Sequence, residues 1–361
     1  MNGTAAGRAV RPSIPHGAPG LRLPPVGRGA ILPSMNAEFH YYALYFVCLR
    51  AGFSHSEANT IAHSSQYVDN AIHAYEVEEG QFRYRSQVTQ NYLFWDESTL
   101  REIYLPFHFV PGDSERASRE RRDGHASRWV VTPDSALVKE LLVAALKSAE
   151  LHRIGIALHT YADSWAHQHF SGRLEEGNAV DPSSPLPPAG HLQALRSPDD
   201  AMGRWTDSRL LPALASIDNR SRFLAAAFKI YRYLRTFLRK GFEDEELALD
   251  PLARLWRPES GDMKARIASF TVDLDVPPYD RRSWLTAAGI RDETTEEGPF
   301  SGYDKFLWFR TELARRSTGG SGTRRVETQG RFAGSELHRW NEAAGEHRAL
   351  ALRLLAAEGL I

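Results

Sequence analysis

Residues 158–170 read LHTYADSWAHQHF and carry two histidines on either side of an aspartate at regular spacing. His159, Asp163 and His167 follow one another at intervals of four residues. On an α-helix each such step turns about 40° and rises about 6 Å, so the three side chains share one narrow face. Two imidazoles and a carboxylate on that face can bind metal ions without any movement of the backbone. The spacing therefore predicts a helix that carries metal ligands.

The rest of this helix is apolar nearly all round, which predicts that it is buried. Buried imidazoles and carboxylates cost free energy unless they are paired or bind metal. A single histidine on a helix is usually satisfied by an ordinary hydrogen bond, but three such groups in one stripe favour a metal site. The apolar neighbours are Ile154, Ile156, Ala157, Leu158, Tyr161, Ala162, Trp165 and Ala166.

The composition of the whole chain is that of a globular protein. Its 361 residues are 42% hydrophobic, enough for a substantial core, and its net charge of -1 does not indicate non-specific binding to nucleic acid or anionic membranes. The single cysteine, Cys48, excludes an internal disulfide. No apolar run reaches the roughly 18 residues that a membrane span needs. No apolar segment follows Arg8 and Arg11 as in a secretory signal, so we expect a cytoplasmic protein.

The chain divides into a leader and one domain. Residues 1–34 are rich in Gly, Pro, Ala and Arg and should be a disordered extension, whereas 35–361 should form a single helical metal-binding domain. The predicted class is all-α. Helices are predicted at 36–51, 56–75, 132–170 (continuous or broken near His152), 218–240, 245–257, 282–289, 302–316 and 335–358. The other predictions are a hairpin within 80–95, an extended segment at 103–113, a solvated loop at 115–128 and a flexible connection at 317–330.

Several catalytic signatures are missing from the sequence. It contains no GxSxG, P-loop, HExxH or CxxC motif, and Cys48 lies in an apolar run that indicates a buried hydrophobe instead of a nucleophile. What remains is a set of histidines and aspartates distributed over several predicted helices. Metal sites in helical proteins are formed in this way, by side chains that project inward from separate helices.

The order of these residues resembles that of the zinc-dependent phospholipase C and S1/P1 nuclease superfamily. The resemblance implies an all-helical fold and a trinuclear zinc site that cleaves phosphoesters. It assigns ligand roles to His40, Asp69 in IAHSSQYVDN, His108 in LPFHFV, His159, Asp163, His167 or His169, and His191 with Asp199. The chain also resembles, more closely, an uncharacterised bacterial family with an EFHYY start and an LHTYADxWAHQ helix, which implies no activity.

The sequence departs from the superfamily pattern in the ligands of its first metal. Members of the superfamily bind one zinc through the amine and carbonyl of an N-terminal tryptophan, and no tryptophan precedes Trp95 here. Glu38, two residues before His40, is the candidate substitute. This would replace the two tryptophan groups by one carboxylate.

Two further ligand positions have alternatives. The superfamily spacing selects His169, but residues 164–168 contain no proline, and an unbroken helix to Phe170 would select His167. Position 195 is Leu where an acid is usual, so Asp199 or Asp200 completes the last site or the third metal is absent. His63 and His73, which flank Asp69, are weaker ligand candidates.

The resemblance implies a hydrolase with two or three Zn²⁺ ions, in which a metal-bridging hydroxide attacks a small-molecule or lipid phosphoester. Asp163 would bridge the ions, and Asp69 would ligate and accept the proton of the attacking water. One alternative is a non-catalytic helical protein stabilised by metal, which a closed ligand sphere would indicate. The other is a di-iron oxygenase, although the usual Glu and ExxH pairs are missing.

Overall fold

The computed structural model describes residues 37–290, 323–328 and 330–361. The predicted disordered leader 1–34 and the predicted helix 302–316 lie outside these described residues. Within them, no helix is both long enough and apolar enough to cross a membrane. The helices are α1 (Leu44–Ala51), α2 (His55–Asn70), α3 (Glu97–Thr99), α4 (Ser114–Glu120), α5 (Ala136–Ser148), α6 (Leu151–Ala166), α7 (Asn219–Phe237), α8 (Glu245–Leu255), α9 (Met263–Asp273), α10 (Ser283–Ala287) and α11 (Glu336–Ala357).

The predicted all-α class is wrong, because the helix-rich chain also forms two small sheets. Strand β1 (Ala74–Glu79) pairs antiparallel with β2 (Phe82–Arg85) and parallel with β5 (Thr323–Glu327). A second sheet joins β3 (Arg204–Thr206) to β4 (Ser216–Asp218). Strand β5 lies in the segment that we expected to be flexible. The sequence did not predict this strand, because its pairing partner β1 is far away in the sequence and the local residue pattern does not indicate the pairing.

Two π-helical segments carry functional candidates. The first, Glu38–Ala43, leads directly into α1, and the second, Leu100–His108, continues α3. The second lies where we predicted an extended segment because of Pro106. The prediction was wrong for residues 103–108, because burial of Leu105, Phe107 and His108 outweighs the local preference of proline, whereas residues 109–113 form no helix.

Local sequence signals place the ends of several helices correctly. Ser54 and Glu57 form a capping box at the start of α2: Glu57 N donates to Ser54 Oγ, and Ser54 N donates to Glu57 Oε2 at 2.8 Å. Gly52 ends α1 with φ of +109°.

Helix α2 ends at Asn70, five residues earlier than predicted, because β1 begins at Ala74. The predicted loop at 115–128 overlaps α4, so it is helical up to Glu120; Asp113 caps this helix at its N-terminus.

Helix α6 lies at the centre of the fold and packs on α2, α5, α7 and α11. Its contact with α2 is close because position 155 is glycine: a Cβ there would lie 2.2 Å from Ile61 O. Ile154, Ile156 and Ala157 are fully buried in this packing. The close approach brings the carboxylate of Asp69, near the end of α2, to the side of α6 that carries His159.

Candidate metal centre

Helix α6 presents the predicted stripe of ligands, but it ends earlier than predicted. His159 and Asp163 are buried on the helix, which stops at Ala166 instead of running to Phe170. His167 is the C-cap residue, and its backbone N still donates to Asp163 O at 2.8 Å. Its side chain therefore stays on the same side as the stripe, with Nδ1 3.8 Å from Asp163 Oδ2.

Asp163 is the residue around which three histidines converge from three elements. His40 Nε2 lies 3.1 Å from its Oδ1, and His108 Nδ1 and His159 Nε2 lie 3.0 Å and 3.2 Å from its Oδ2. The rings of His40 and His159 stack, with their centroids 4.0 Å apart. One carboxylate thus faces imidazoles from both π-helical segments and from α6.

Asp69 completes this group from α2, with Oδ1 3.8 Å from His159 Nε2. Two sets of ligand atoms lie within 4.8 Å of one another here, His40 with Asp69 and His159, and His108 with His159 and Asp163. They share His159, so we treat all five residues as one inner cluster. No member is more than 4% exposed.

A second group, the outer cluster, consists of His167, His191 and Asp199, whose ligand atoms also lie within 4.8 Å of one another. His167 Nε2 is 3.4 Å from Asp199 Oδ1, and His191 Nε2 is 3.6 Å from Asp199 Oδ2. The two imidazole rings stack with a centroid distance of 4.9 Å. The side chains of His191 and Asp199 are 13% and 11% exposed, so solvent reaches this cluster.

Three of the histidines use one ring nitrogen to bind a backbone carbonyl. His108 Nε2 donates to Thr89 O at 2.8 Å, His167 Nδ1 donates to His108 O at 2.9 Å, and His191 Nδ1 donates to Leu195 O at 2.9 Å. Because a carbonyl only accepts, the N–H of each neutral ring must lie on that side. The other nitrogen then carries a lone pair.

In all three cases that second nitrogen faces a carboxylate oxygen, which also carries lone pairs. Such a contact repels unless a proton or a metal cation lies between the two atoms. A histidine whose far nitrogen is held by a carbonyl is the usual arrangement around protein-bound metals. The residues therefore fit metal ions in both clusters.

The pKa values of the cluster residues are shifted by burial and by the charges of the neighbouring cluster residues. Burial alone would raise the pKa of Asp163, but His159 and His167 hold it well below its usual range. Burial would lower the pKa of His167, but Asp163 and Asp199 raise it to about 9. Burial, with the charge of His40, lowers the pKa of His159 to about 3. Burial raises the pKa of Asp69 to about 6. A bound cation would stabilise the ionised carboxylates and the neutral imidazoles of these clusters.

The structure does not bring Glu38 into either cluster. Its carboxylate accepts hydrogen bonds from Arg266 Nε at 2.6 Å, from Arg266 Nη2 at 2.8 Å and from Trp256 Nε1 at 2.8 Å. Both oxygens are thereby occupied, and the negative charge is neutralised by the guanidinium. The structure therefore pairs Glu38 with Arg266 and Trp256 and does not bring it to the metal-ligand position that the sequence suggested.

The structure also separates the alternative ligands. His169 adopts a left-handed backbone conformation, with φ of +66°, and its Nε2 lies 3.2 Å from Glu120 Oε2, outside both clusters. Asp200 Oδ1 lies 3.8 Å from Arg266 Nη2, whereas Asp199 faces the histidines. The superfamily spacing is therefore not reproduced at position 169.

The weaker candidates have other partners or positions. His63 stacks on Trp284 with a centroid distance of 4.0 Å, and His73 follows the end of α2 instead of lying on it. Sequence reasoning did not identify Thr89 and Leu195, whose carbonyls orient His108 and His191. Backbone carbonyls leave no side-chain pattern from which they could have been found.

The chain belongs to a family of unknown function (DUF6765), whose model matches residues 35–355. Neither a curated protein nor a solved structure matches the chain.

Proposed function

We propose that this member of the DUF6765 family is a zinc-dependent hydrolase that cleaves a phosphoester at the combined inner and outer clusters. The observation that carries the proposal is the orientation of three imidazoles. His108, His167 and His191 each give one nitrogen to a backbone carbonyl and turn the other towards a carboxylate. A metal cation between nitrogen and carboxylate would remove the repulsion, and at His167 it would take the place of the proton that the raised pKa otherwise retains.

The donor set favours zinc over other metals. Five imidazoles and three carboxylates are too rich in nitrogen for Mg²⁺ or Ca²⁺, which prefer oxygen. Di-iron sites in helical proteins depend on glutamates and on ExxH pairs, and the two clusters contain neither. The order of the ligand residues, from His40 to Asp199, also resembles that of the phospholipase C and S1/P1 nuclease superfamily.

Asp163 connects the two clusters and supports a site with two or three ions. Its Oδ2 lies between His108 and His159 of the inner cluster and is also 3.8 Å from His167 of the outer cluster. Ions in the two clusters would therefore be neighbours. Bound zinc ions would lower the pKa of a water molecule and neutralise the negative charge of a phosphoester.

The chain's own groups would divide the remaining work. Asp69, whose Oδ1 lies 3.8 Å from His159 Nε2, would accept the proton of the attacking water. The inner cluster excludes bulk solvent, whereas the exposed edges of His191 and Asp199 would admit the substrate phosphoryl group. This open side favours a catalytic site over a closed structural one.

The test combines metal analysis with hydrolysis assays on the full chain. Protein purified without chelator should contain two or three equivalents of zinc, and it should hydrolyse p-nitrophenyl phosphate or bis(p-nitrophenyl) phosphate. Chelation should abolish the activity, and added Zn²⁺ should restore it. Absence of any bound transition metal would overturn the proposal. Bound zinc without phosphoester hydrolysis would support the metal-stabilised, non-catalytic alternative.

A further inference from the structure

Two turns that carry outer-cluster ligands lie next to the first turn of α7. One follows the end of α6 at Ala166 and carries His167. The other is the 3-10 turn Ser197–Asp199, which carries Asp199. At the ligand residues the backbone hydrogen bonds of these turns are local: His167 N donates to Asp163 O, and Asp199 N donates to Arg196 O. Two side chains on α7, three residues apart, contact these turns: Arg222 contacts the first turn and Asn219 contacts the second.

Arg222 holds the turn that carries His167. Its Nε donates to Trp165 O at 3.1 Å, and its Nη2 donates to Ala166 O at 2.7 Å. Carbonyls in the last turn of a helix have no partner within the helix, and a cation is favourable there. The guanidinium thus supplies the partners at the point where α6 stops, directly before the ligand residue.

Asn219 holds the turn that carries Asp199. Its Nδ2 donates to Asp200 O at 2.8 Å and also to Ser197 O. The residue is fully buried, and Gly203 makes room for its amide: a Cβ at position 203 would lie 2.9 Å from Asn219 Nδ2. The side chain therefore closes the 3-10 turn from outside and leaves the Asp199 carboxylate facing His167 and His191.

The two side chains also bond to each other. Arg222 Nη1 donates to Asn219 Oδ1 at 3.2 Å, and Trp205 Nε1 donates to the same oxygen at 3.3 Å. A continuous chain of hydrogen bonds therefore runs from the end of α6 through Arg222 and Asn219 to the Asp199 turn. Neither residue belongs to either cluster.

We propose that Asn219 and Arg222 are positioning residues, which hold His167 and Asp199 at ligand distance and thereby set the metal affinity of the outer cluster. The part that concerns metal affinity rests on the proposed function; the part that concerns the two turns does not. Groups that orient metal ligands without touching the metal typically contribute 10-fold to 100-fold to affinity.

The matched control lies on the same helix. Arg220 donates to Trp256 O and Ala253 O at the end of α8, so it makes the same kind of contact on the other side of α7. We would compare Arg222→Met, Arg222→Lys and Arg220→Met in the full chain. The readouts are zinc equivalents, zinc affinity by competition with a chelator, and hydrogen exchange of residues 165–170 and 197–203 in chelator-treated protein.

Arg222→Met should weaken binding of one zinc equivalent by about 10-fold or more and should raise exchange in both segments. Arg222→Lys should show a smaller loss, and Arg220→Met should match the wild type in both readouts. Equal zinc binding and equal exchange in the two Met variants would overturn the proposal.

The variant Asn219→Asp tests the Asp199 turn independently of the His167 turn. It also provides a test of the proposal if Arg222→Met does not fold. It keeps the acceptor for Arg222 but replaces the donor to the Asp199 turn by an oxygen. Exchange should therefore rise in 197–203 and stay low in 165–170; an unchanged 197–203 segment would refute the role of Asn219. If the wild-type chain binds no zinc, the proposed function fails, and the exchange measurements still decide whether the two residues hold the turns.

Discussion

His108 Nδ1 lies 3.0 Å from Asp163 Oδ2, while the opposite nitrogen of the same ring donates to Thr89 O at 2.8 Å. A neutral imidazole has one N–H, and in His108 this N–H donates to Thr89 O. The lone pair of Nδ1 therefore faces the lone pairs of a buried carboxylate. A cation between the two atoms would remove this repulsion, and a metal ion held by His108 and Asp163 would supply the positive charge without a buried imidazolium.

Asp163→Asn should remove metal from the protein, because Asp163 is the only carboxylate whose oxygens lie within 4 Å of histidines from both clusters among the described residues. We expect zinc affinity to fall by at least about 10-fold, as measured by elemental analysis after dialysis. The control is Asp207→Asn, which alters an equally buried carboxylate that is paired with Arg209. Retention of all zinc in Asp163→Asn would contradict the central role of this residue.

Glu38→Gln should destabilise the fold without removing a metal ligand. The substitution leaves the Arg266 guanidinium buried without its carboxylate, and such changes cost about 3–5 kcal/mol. Denaturant unfolding of chelator-treated protein measures the loss. The double variant Glu38→Gln, Arg266→Met should recover part of it. Loss of a zinc equivalent at unchanged stability would instead restore Glu38 as a ligand.

The ligand stripe of α6 could be predicted because its geometry is local. The four-residue spacing of His159, Asp163 and His167 alone defines one helical face. The environment of Glu38 could not be predicted in this way. Only its nearness to His40 in sequence suggested a ligand, whereas its real partner, Arg266, lies on α9, 228 residues further along the chain.

The end of α6 illustrates the same limit. Residues 164–168 contain no helix breaker, and their propensities favour a helix to Phe170. The helix nevertheless ends at Ala166, where Arg222 from α7 supplies donors for the carbonyls of Trp165 and Ala166. Strand β5 was missed for a related reason, because its pairing with β1 joins segments that lie far apart in sequence.

Stability of the metal-free protein should fall as the pH drops below about 6.5, partly because of His63. Burial, with a smaller effect of the His152 charge, lowers the pKa of His63 to about 3. The unfolded chain takes up a proton near pH 6.5, whereas the folded chain does not until the pH is far lower. His63 should therefore reduce the free energy of unfolding by up to about 1.4 kcal/mol per pH unit below 6.5.

His63→Phe keeps an aromatic ring against Trp284 and removes the proton site. Its free energy of unfolding should decline less steeply between pH 6.5 and 5 than that of the wild type, with a difference of about 2 kcal/mol across this range. Both proteins are measured in chelator. The control substitution is His125→Phe, which makes the same change at an exposed position. Parallel curves for wild type and His63→Phe would refute the prediction.

The last prediction distinguishes His167 from His169, which the sequence alone left as alternatives. His167 Nε2 faces Asp199, whereas His169 Nε2 faces Glu120. The backbone carbonyl of His169 also accepts a hydrogen bond from Arg209 Nη1 at 2.9 Å. Asn is a suitable replacement at both positions, because it tolerates the left-handed conformation of residue 169. His167→Asn should lower the affinity for one zinc equivalent by about 10-fold or more. His169→Asn should retain all zinc and lose only the contact with Glu120. The opposite result, with zinc lost from His169→Asn alone, would mean that the superfamily spacing holds and that the turn after Ala166 rearranges around the metal.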